Sequence, residues 1–502
     1  MEIAMDLRAL LKYLNIIKVE GPTDFPVRGL AYHSSRVQPG YIFFCLGGTR
    51  VDGHEFIHQA VDAGAAAVVM EKDLDIFGAT KILVSDVRIA MAAISEIFYD
   101  SPSKKLRVIG VTGTNGKTTT TYLIEAIMSA HNEKTGLLGT IKYKINGDSL
   151  PVLATTPEAP DLQRILHKMA ERKITYAVME VSSHALELNR VSGCDFDIAV
   201  ITNITGDHYD FHKNQERYLS AKAKLFSQLG GSFLKGPLPR FAVLNRDDPH
   251  FEYLFRHSTV QTISYGIRNP ADVEAKNIEV REDGISFLLC SPWGTEDILL
   301  NLTGYFNLYN ALAAVSVALA EGVPLATIKG ALAGIRGVPG RFERIDLGQD
   351  FLVIVDYAHT PDGLDNILQT ARGFARGKII TIFGCGGERD RAKRPEMGRI
   401  AGTYSDYCIL TSDNPRGEDP WQIIREVESG LREKKETGRG YTVQPNRYEA
   451  IKLGIELARP HDIVIIAGKG HENYQIFGDY TIQFSDRGTA EEIIRNRLKN
   501  KV

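Results

Sequence analysis

The stretch Val108-Ile-Gly-Val-Thr-Gly-Thr-Asn-Gly-Lys-Thr-Thr119 constrains the fold of this chain more than any other. Arg107 to Val111 is a short β-branched run of the kind that forms a buried strand. Gly110, Gly113 and Gly116 break it, and Tyr122 to Met128 carries apolar residues at helical spacing. A strand that passes into a helix through glycines presents backbone N–H groups with no side chains in front of them. The helix N-terminus adds partial positive charge, so the turn suits a phosphate. Lys117 is placed to reach terminal phosphates, and Thr118 to offer its hydroxyl to Mg²⁺. The strict pattern G-x-x-x-x-G-K-[ST] is not met, because it would need glycine at Val111. An ordinary glycine-rich βα turn is the alternative. Lysine and threonine together favour an ATP site made by Gly113, Thr114, Asn115, Gly116, Lys117, Thr118 and Thr119.

A chain of 502 residues implies roughly three domains at ~150 residues each. Its net charge of −3 gives no electrostatic case for nucleic acid or a membrane surface. Glu2, Asp6 and Arg8 within the apolar spacing of the N-terminus read as an amphipathic helix and not as a signal peptide. No uncharged apolar run approaches the ~20 residues that span a bilayer. Cys45, Cys194, Cys290, Cys385 and Cys408 are odd in number and contain no C-x-x-C pair. That pattern points to a reducing cytoplasm without a disulfide framework or a zinc site.

Three segments follow, all in the α/β class: 1–105, 106–338 and 339–502. In the first, Ile57 to Ala63 reads as a helix stopped by Gly64, and Ala66 to Met70 as a strand. Ser34, Ser35 and Arg36 precede a Pro-Gly turn and either bind an anionic group or form a capped surface loop. Ser101-Pro-Ser-Lys-Lys105 reads as a linker.

In the second segment, Ala154-Thr-Thr-Pro-Glu-Ala159 reads as a helix start, with a threonine cap, proline at the first position and an early acid. Tyr176 to Glu180 is an apolar strand ending in a carboxylate, and such an acid beside a phosphate loop suits Mg²⁺. Ile198 to Asn203 is another strand. Asp207 and His208 in the loop beyond it could reach a metal or the phosphates, or could be plain loop residues. Ser220 to Phe226 is helical, and its lysines taken alone read as a solvated face. Alternation from about Ser232 to Leu302, notably Val260–Ile267, Val273–Val280 and Ile285–Cys290, predicts added antiparallel strands. Helical spacing resumes over Asn307 to Ala318, and Gly337 to Glu343 is a glycine- and proline-rich hinge.

In the third segment, strands at Phe351–Val355, Lys378–Phe383, Tyr407–Thr411 and Asp462–Ile466 each run into a polar loop. These loops are Asp356-Tyr-Ala-His-Thr-Pro-Asp362, Gly384-Cys-Gly-Gly-Glu-Arg-Asp390, Asp413-Asn-Pro-Arg416 and Gly468-Lys-Gly-His-Glu472. Ligands of open α/β sheets collect at the carboxyl ends of strands, so four charged loops there predict a binding cleft. Each loop alone is also compatible with a surface turn.

Gly113-Thr-Asn-Gly-Lys-Thr-Thr119, Met179-Glu-Val-Ser-Ser-His184 and the Asp356, Asp413 and Gly468 loops together resemble the Mur ligases of bacterial wall synthesis. Within that family they are most similar to the branch that adds meso-diaminopimelate. The resemblance covers all three segments in order. It implies an N-terminal UDP-sugar-binding domain, a central P-loop-type ATPase domain and a Rossmann-like C-terminal domain that binds the amino acid.

The resemblance also implies roles by position. Ser35 would contact the uridine nucleotide, although the family's usual Asp-Ser-Arg is Ser34-Ser35-Arg36 here. Thr155, Thr156, Ser182 and Arg190 would hold the muramoyl-dipeptide, with Leu188 where the family often has glutamine. Lys222 would carry a CO₂-derived carbamate, reversing the solvated-face reading, and with Thr118, Glu180 and His208 would complete a Mg²⁺ site. Lys117, Glu180, His208 and Lys222 would be the catalytic set. Asn307, Arg341 and Asp356 would touch the nucleotide. Arg389, Asp413, Asn414, Pro415, Arg416, Gly468 and Glu472 would form the diaminopimelate pocket.

The implied activity is ATP-dependent amide formation on UDP-N-acetylmuramoyl-L-Ala-D-Glu through an acyl phosphate, by a cytoplasmic monomer. The guanidinium of Arg416 suits a second carboxylate and would repel the ε-ammonium of lysine. A related ligase that adds L-lysine, another amine or glutamate stays open. So does an ATP-dependent switch without ligase turnover, though that reading leaves the four C-terminal loops without a purpose.

Overall fold

The computed structural model describes residues 3–48, 51–230, 235 and 238–499. Three sheets, one per segment, organise it. In the N-terminal domain five strands run in the order Ile16–Glu20, Thr80–Val84, Ala65–Met70, Tyr41–Phe44, Gly29–Ala31. All are parallel except Ile16–Glu20.

The central sheet has eleven strands. Arg107–Thr112 lies in the middle, parallel to Tyr176–Glu180 on one side and Ile198–Ile201 on the other. Alternate residues of these strands enter separate cores. Ile109, Val111, Val178 and Val200 pack under the helices Lys117–Ala130 and Tyr305–Ala320. Val108, Met179, Ala199 and Ile201 pack against Ala159–Glu171 and Gln215–Ser227. A sheet covered on both faces needs apolar residues at every position, which is why these strands read as unbroken runs and not as alternation. The C-terminal sheet repeats the plan with six strands, in the order Glu343–Ile345, Leu352–Asp356, Ile463–Ala467, Ile379–Phe383, Tyr407–Leu410, Tyr441–Val443. The four strands expected there form its centre, and the two short outer ones carry too few residues to register as periodicity.

Several expectations need correction. The N-terminal helix is Leu7–Leu11, capped by Asp6 and preceded by a two-residue strand, while Glu2 lies outside the described residues. Ser101–Lys105 is not a loose linker. Pro102–Lys105 is a 3₁₀ turn whose buried Ser103 hydroxyl accepts the amide of Asp195. The helix expected from Thr155 starts at Ala159, with Glu158 at the cap and Pro160, not Pro157, in the first turn. Of the predicted antiparallel strands, Gln261–Gly266 is parallel to both neighbours. Val273–Arg281 and Gly284–Ser291 are antiparallel and are joined by Gly294–Leu300, which lacked a clear signal. Ser232 to Leu234, at the start of that region, lie outside the described residues. Among the described residues no helix is long and apolar enough to cross a membrane.

The hinge expected at Gly337–Glu343 is where the chain leaves the central domain. Gly340 adopts φ 65° there, and a Cβ on it would sit 2.2 Å from the amide nitrogen of His471. Only glycine allows the two loops to lie this close.

Candidate active site between the central and C-terminal domains

The glycine turn is held from behind by the end of Ile198–Ile201. The Thr114 amide donates to the Asn203 carbonyl at 2.8 Å, the Asn115 amide to Asn203 Oδ1 at 3.0 Å, and Thr202 Oγ1 to the Asn115 carbonyl at 2.6 Å. Gly116, at φ 87°, leads into the helix, and a Cβ there would meet Asn310 Oδ1 at 2.2 Å. Lys117 Nζ donates to the carbonyls of Gly113 and Thr114, both at 2.8 Å. The ammonium is thus held over the mouth of its own loop.

Two contacts tie this loop to the C-terminal side. Arg341 Nη2 donates to Thr118 Oγ1 at 3.0 Å from the hinge, with its guanidinium 4.6 Å from the centre of the Tyr357 ring. Asn115 Nδ2 donates to Asp362 Oδ2 at 2.6 Å. Between them lies a cleft lined by Asn115, Gly116, Thr119, Asn310, Arg341 and Asp356. Asp356 accepts the amides of Phe342 (2.6 Å) and Ala358 (2.7 Å), and so shapes the cleft from the hinge side. Asn307 is not in the lining. Its Nδ2 donates to the Thr303 carbonyl and its Oδ1 accepts from Asn310 Nδ2, so it orients the Asn310 amide that does face the cleft.

Glu180, at the carboxyl end of its strand, accepts from the Thr140 amide at 2.8 Å and the Thr140 hydroxyl at 3.0 Å. Thr140 also meets the Thr155 hydroxyl at 3.1 Å, and Thr156 Oγ1 donates to the Glu180 carbonyl at 2.9 Å. Ser182 accepts the Ala185 amide, and Arg190 Nη1 donates to the Thr156 carbonyl at 3.1 Å. Thr155, Thr156, Ser182 and Arg190 therefore form one group around Glu180. The late start of the helix at Ala159 is what leaves both threonines free for it. Ser35 lies apart in the N-terminal domain, with its hydroxyl 2.8 Å from His33 Nδ1. Leu188 caps the short helix Ser183–Glu187.

The C-terminal loops converge as expected. Arg389, Asp413, Asn414, Arg416, Gly468 and Glu472 line one cavity of about 180 Å³, whose far wall is Asp207 and His208 of the central domain. Tyr357 and His359 line both this cavity and the cleft beside the glycine turn, so the two share a wall. Arg416 sits at φ 54°, with its Nη1 donating to the Gly387 carbonyl at 2.8 Å. Pro415 accepts the Glu418 amide and shapes the turn, without lining the cavity. The buried Arg447 fixes two of the loops from below. It pairs with Asp486 at 2.7 Å and donates to the carbonyls of Ser412 and Ala467, the residues just before Asp413 and Gly468.

Models of three Mur ligase regions match the chain: the family's catalytic domain over 26–112, the middle domain over 111–318 and the glutamate ligase domain over 340–470. Curated relatives named UDP-N-acetylmuramoyl-L-alanyl-D-glutamate--2,6-diaminopimelate ligase include that of Syntrophomonas wolfei, 48% identical over 99% of this chain and 100% of its own. The chain belongs to the Mur ligase family. The relative of that name in Geobacillus thermodenitrificans is 47% identical over 98% of this chain and 100% of its own. A solved structure of the same name matches with a TM-score of 0.67, 33% identity and 99% of each chain covered. As a member of this family of ATP-dependent amide-forming ligases, the chain is an enzyme built as three α/β domains.

Electrostatics single out one lysine of this Mur ligase. Lys222, expected from the sequence alone to be solvated, is 1% exposed. Its Nζ lies 4.4 Å from the centre of the Tyr218 ring. Burial, and then the neighbouring charge of Lys117, hold its pKa well below that of an ordinary lysine. His208 has φ 56°, donates its amide to Asp207 Oδ1 and keeps Nε2 3.2 Å from Asp207 Oδ2. Desolvation in the cleft pushes its pKa down to about 3, so the imidazole is neutral near pH 7. Among the described residues no three His, Cys, Asp or Glu side chains gather into a metal-binding cluster.

His212, the last residue of the short helix Tyr209–His212, is 3% exposed, with Nε2 3.0 Å from Ser183 Oγ. Burial lowers its pKa to about 4, below the ~6.5 of the unfolded chain. The folded form thus binds fewer protons, and the stability this confers is present above pH ~6.5 and lost as the pH falls towards 4. Unfolding free energies from urea titrations at pH 7 and pH 5 are expected to differ less in His212→Gln than in the wild type, by on the order of 1–2 kcal/mol. Equal pH slopes would exclude this role.

Sequence reasoning missed the bridging side chains. Tyr357 and His359 line both clefts, Asn203 lines only the one beside the glycine turn, and Asp362 reaches that turn through Asn115. His359 and Asp362 lay in a loop already noted for its charge, but nothing in the sequence says which loop residue faces which domain.

Proposed function

We propose that this ligase joins meso-diaminopimelate to the γ-carboxylate of D-Glu in UDP-N-acetylmuramoyl-L-Ala-D-Glu, forming a peptidoglycan precursor with ATP as the energy source. The domain limits that go with this are 1–105 for the UDP-sugar, 106–338 for ATP and 339–502 for the amino acid. The observation that carries the reading is the wall shared by the nucleotide cleft and the Arg416 cavity. An acid activated at the glycine turn and an amine held beside Arg416 would meet across Tyr357 and His359.

A carboxylate does not acylate an amine at neutral pH, because its leaving group is too poor. Phosphoryl transfer from ATP supplies a good one, and catalysis of that transfer is positioning plus charge neutralisation. Lys117 is the cation over the loop mouth, and Arg341 approaches the same phosphates from the hinge. The group of Thr155, Thr156, Ser182 and Arg190 would hold the dipeptide beside Glu180, and Ser35 the uridine end. Asn307 acts through Asn310, and Asp356 through the hinge.

Thr118, Glu180, His208 and Lys222 suit Mg²⁺ by their chemistry: a hydroxyl, a carboxylate, a neutral imidazole and an amine depressed enough to react with CO₂. Carbamylation would turn that amine into an anionic oxygen ligand. Bound there, Mg²⁺ would neutralise charge on the transferring phosphoryl group. In the amino-acid cavity, Arg389 and Arg416 would take a carboxylate of diaminopimelate, with Asp413, Asn414, Gly468 and Glu472 around its amino group. Pro415 sets the turn that presents Arg416. Closing the C-terminal domain over this space excludes the water that would hydrolyse an acyl phosphate.

Phosphate release with UDP-N-acetylmuramoyl-dipeptide and each amine in turn tests the reading. Meso-diaminopimelate is expected to exceed L-lysine in kcat/KM by at least about tenfold, a difference that one charged contact supplies. Arg416→Ala should remove most of that preference. Comparable wild-type rates with both amines would refute the choice of substrate, and ATP hydrolysis indifferent to the dipeptide would refute ligation.

A further inference from the structure

Lys469 lies in the Gly468-Lys-Gly-His-Glu472 loop but is absent from the lining of the amino-acid cavity. Its side chain is completely buried beneath that cavity. Nζ donates to Glu472 Oε2 at 2.8 Å and to Asn414 Oδ1 at 3.0 Å, and it lies 5.4 Å from the centre of the Tyr474 ring. Asn414 Oδ1 also accepts the Ile476 amide at 3.2 Å, while Asn414 Nδ2 donates to the same Glu472 Oε2 at 2.9 Å.

These contacts form a closed triangle. With Oδ1 taken by two donors, the Asn414 amide cannot flip, so its nitrogen must face Glu472. With two donors on Oε2, the Glu472 carboxylate cannot rotate, and Oε1 is the oxygen left for the cavity. The ammonium also offsets the Glu472 charge from the side that no ligand reaches. A buried ion pair of this kind does little for stability, since desolvation opposes it, but it imposes one arrangement on the groups it holds.

We infer that Lys469 is a positioning residue that sets amino-acid specificity, by locking Asn414 and half-neutralising Glu472 behind the cavity. The inference rests on the diaminopimelate reading above. With the ammonium present, the Glu472 charge is already paired and less able to attract a lysine ε-ammonium, while Arg416 faces the cavity for a carboxylate. Without it, Glu472 is a half-buried carboxylate that has lost its ion pair and swings towards any cation in the cavity. Affinity for diaminopimelate falls, and the bias against lysine falls with it.

The test is steady-state kinetics on the full-length enzyme with Lys469→Met, which keeps the length of the side chain and removes the charge. KM for diaminopimelate is expected to rise about tenfold or more, with KM for ATP and for the UDP-muramoyl-dipeptide within about twofold of the wild type. The kcat/KM ratio of diaminopimelate to L-lysine should narrow by a similar factor. Lys469→Arg, which keeps the charge, should recover part of the loss. Lys469→Gln, a neutral donor purified alongside, should fall between Met and wild type, and it answers the question if the Met variant does not fold. Unchanged KM for diaminopimelate, or a fall in kcat with every KM and the amine ratio unaltered, would overturn the role. If the wild type itself shows no diaminopimelate-dependent turnover, it is the substrate reading that fails.

Discussion

Lys117→Met is expected to lower kcat/KM by about a thousandfold, roughly 4 kcal/mol of transition-state stabilisation. The ammonium lies over the carbonyls of Gly113 and Thr114 at the mouth of the loop. Charge that builds on a transferring phosphoryl group there would be met by this ammonium. Burial lowers the pKa of Lys117, and the nearby Glu180 and Asp207 act to raise it again. Methionine keeps the packing of the stem and discards only the charge, and the loop remains pinned by Asn203 and Thr202. The thermal midpoint should therefore move by only a few degrees while phosphate release collapses. A variant retaining a tenth or more of wild-type turnover would remove Lys117 from the chemistry.

The second large effect concerns Lys222. Lys222→Met should cost on the order of a hundredfold or more in kcat, without a matching fall in stability. A methionine at this 1%-exposed position replaces a desolvated amine by an apolar group of similar length. Burying an amine against the Tyr218 ring is costly, so the substitution is neutral or stabilising for the fold. The discriminating measurement is the response to bicarbonate. A depressed amine pKa favours the free, nucleophilic amine, and carbamylation is reversible. Wild-type enzyme in CO₂-depleted buffer should lose activity that bicarbonate restores, and Lys222→Met should not respond. A bicarbonate response in the variant, or none in the wild type, would exclude the modification.

Both predictions depend on features that reached the structure by different routes. The glycine turn was legible because a strand, three glycines, a lysine and a helix are neighbours in the chain. Local sequence rules suffice for such a unit. The centre of the C-terminal sheet was legible for a similar reason, since Leu352–Asp356, Ile379–Phe383 and Ile463–Ala467 are buried on both faces and read as apolar runs. Lys222 was not. A lysine on a helix is usually solvated, and the sequence does not show that Ala221-Lys222-Ala223 faces the sheet. Only resemblance to the Mur ligases marked it.

Sequence alone determined the segment order, the glycine turn between strand and helix and the four loops at strand ends, because each is written in contiguous residues with short-range geometry. Tertiary structure alone decided which side chains of those loops face one another. It put His359 and Tyr357 on a wall common to two clefts, started the helix at Ala159 so that Thr155 and Thr156 stay free, and set Asn307 behind Asn310. It also buried Lys469 under the cavity that its neighbours line. These arrangements depend on how three separately folded sheets pack, and packing joins residues far apart in the chain that share no local pattern.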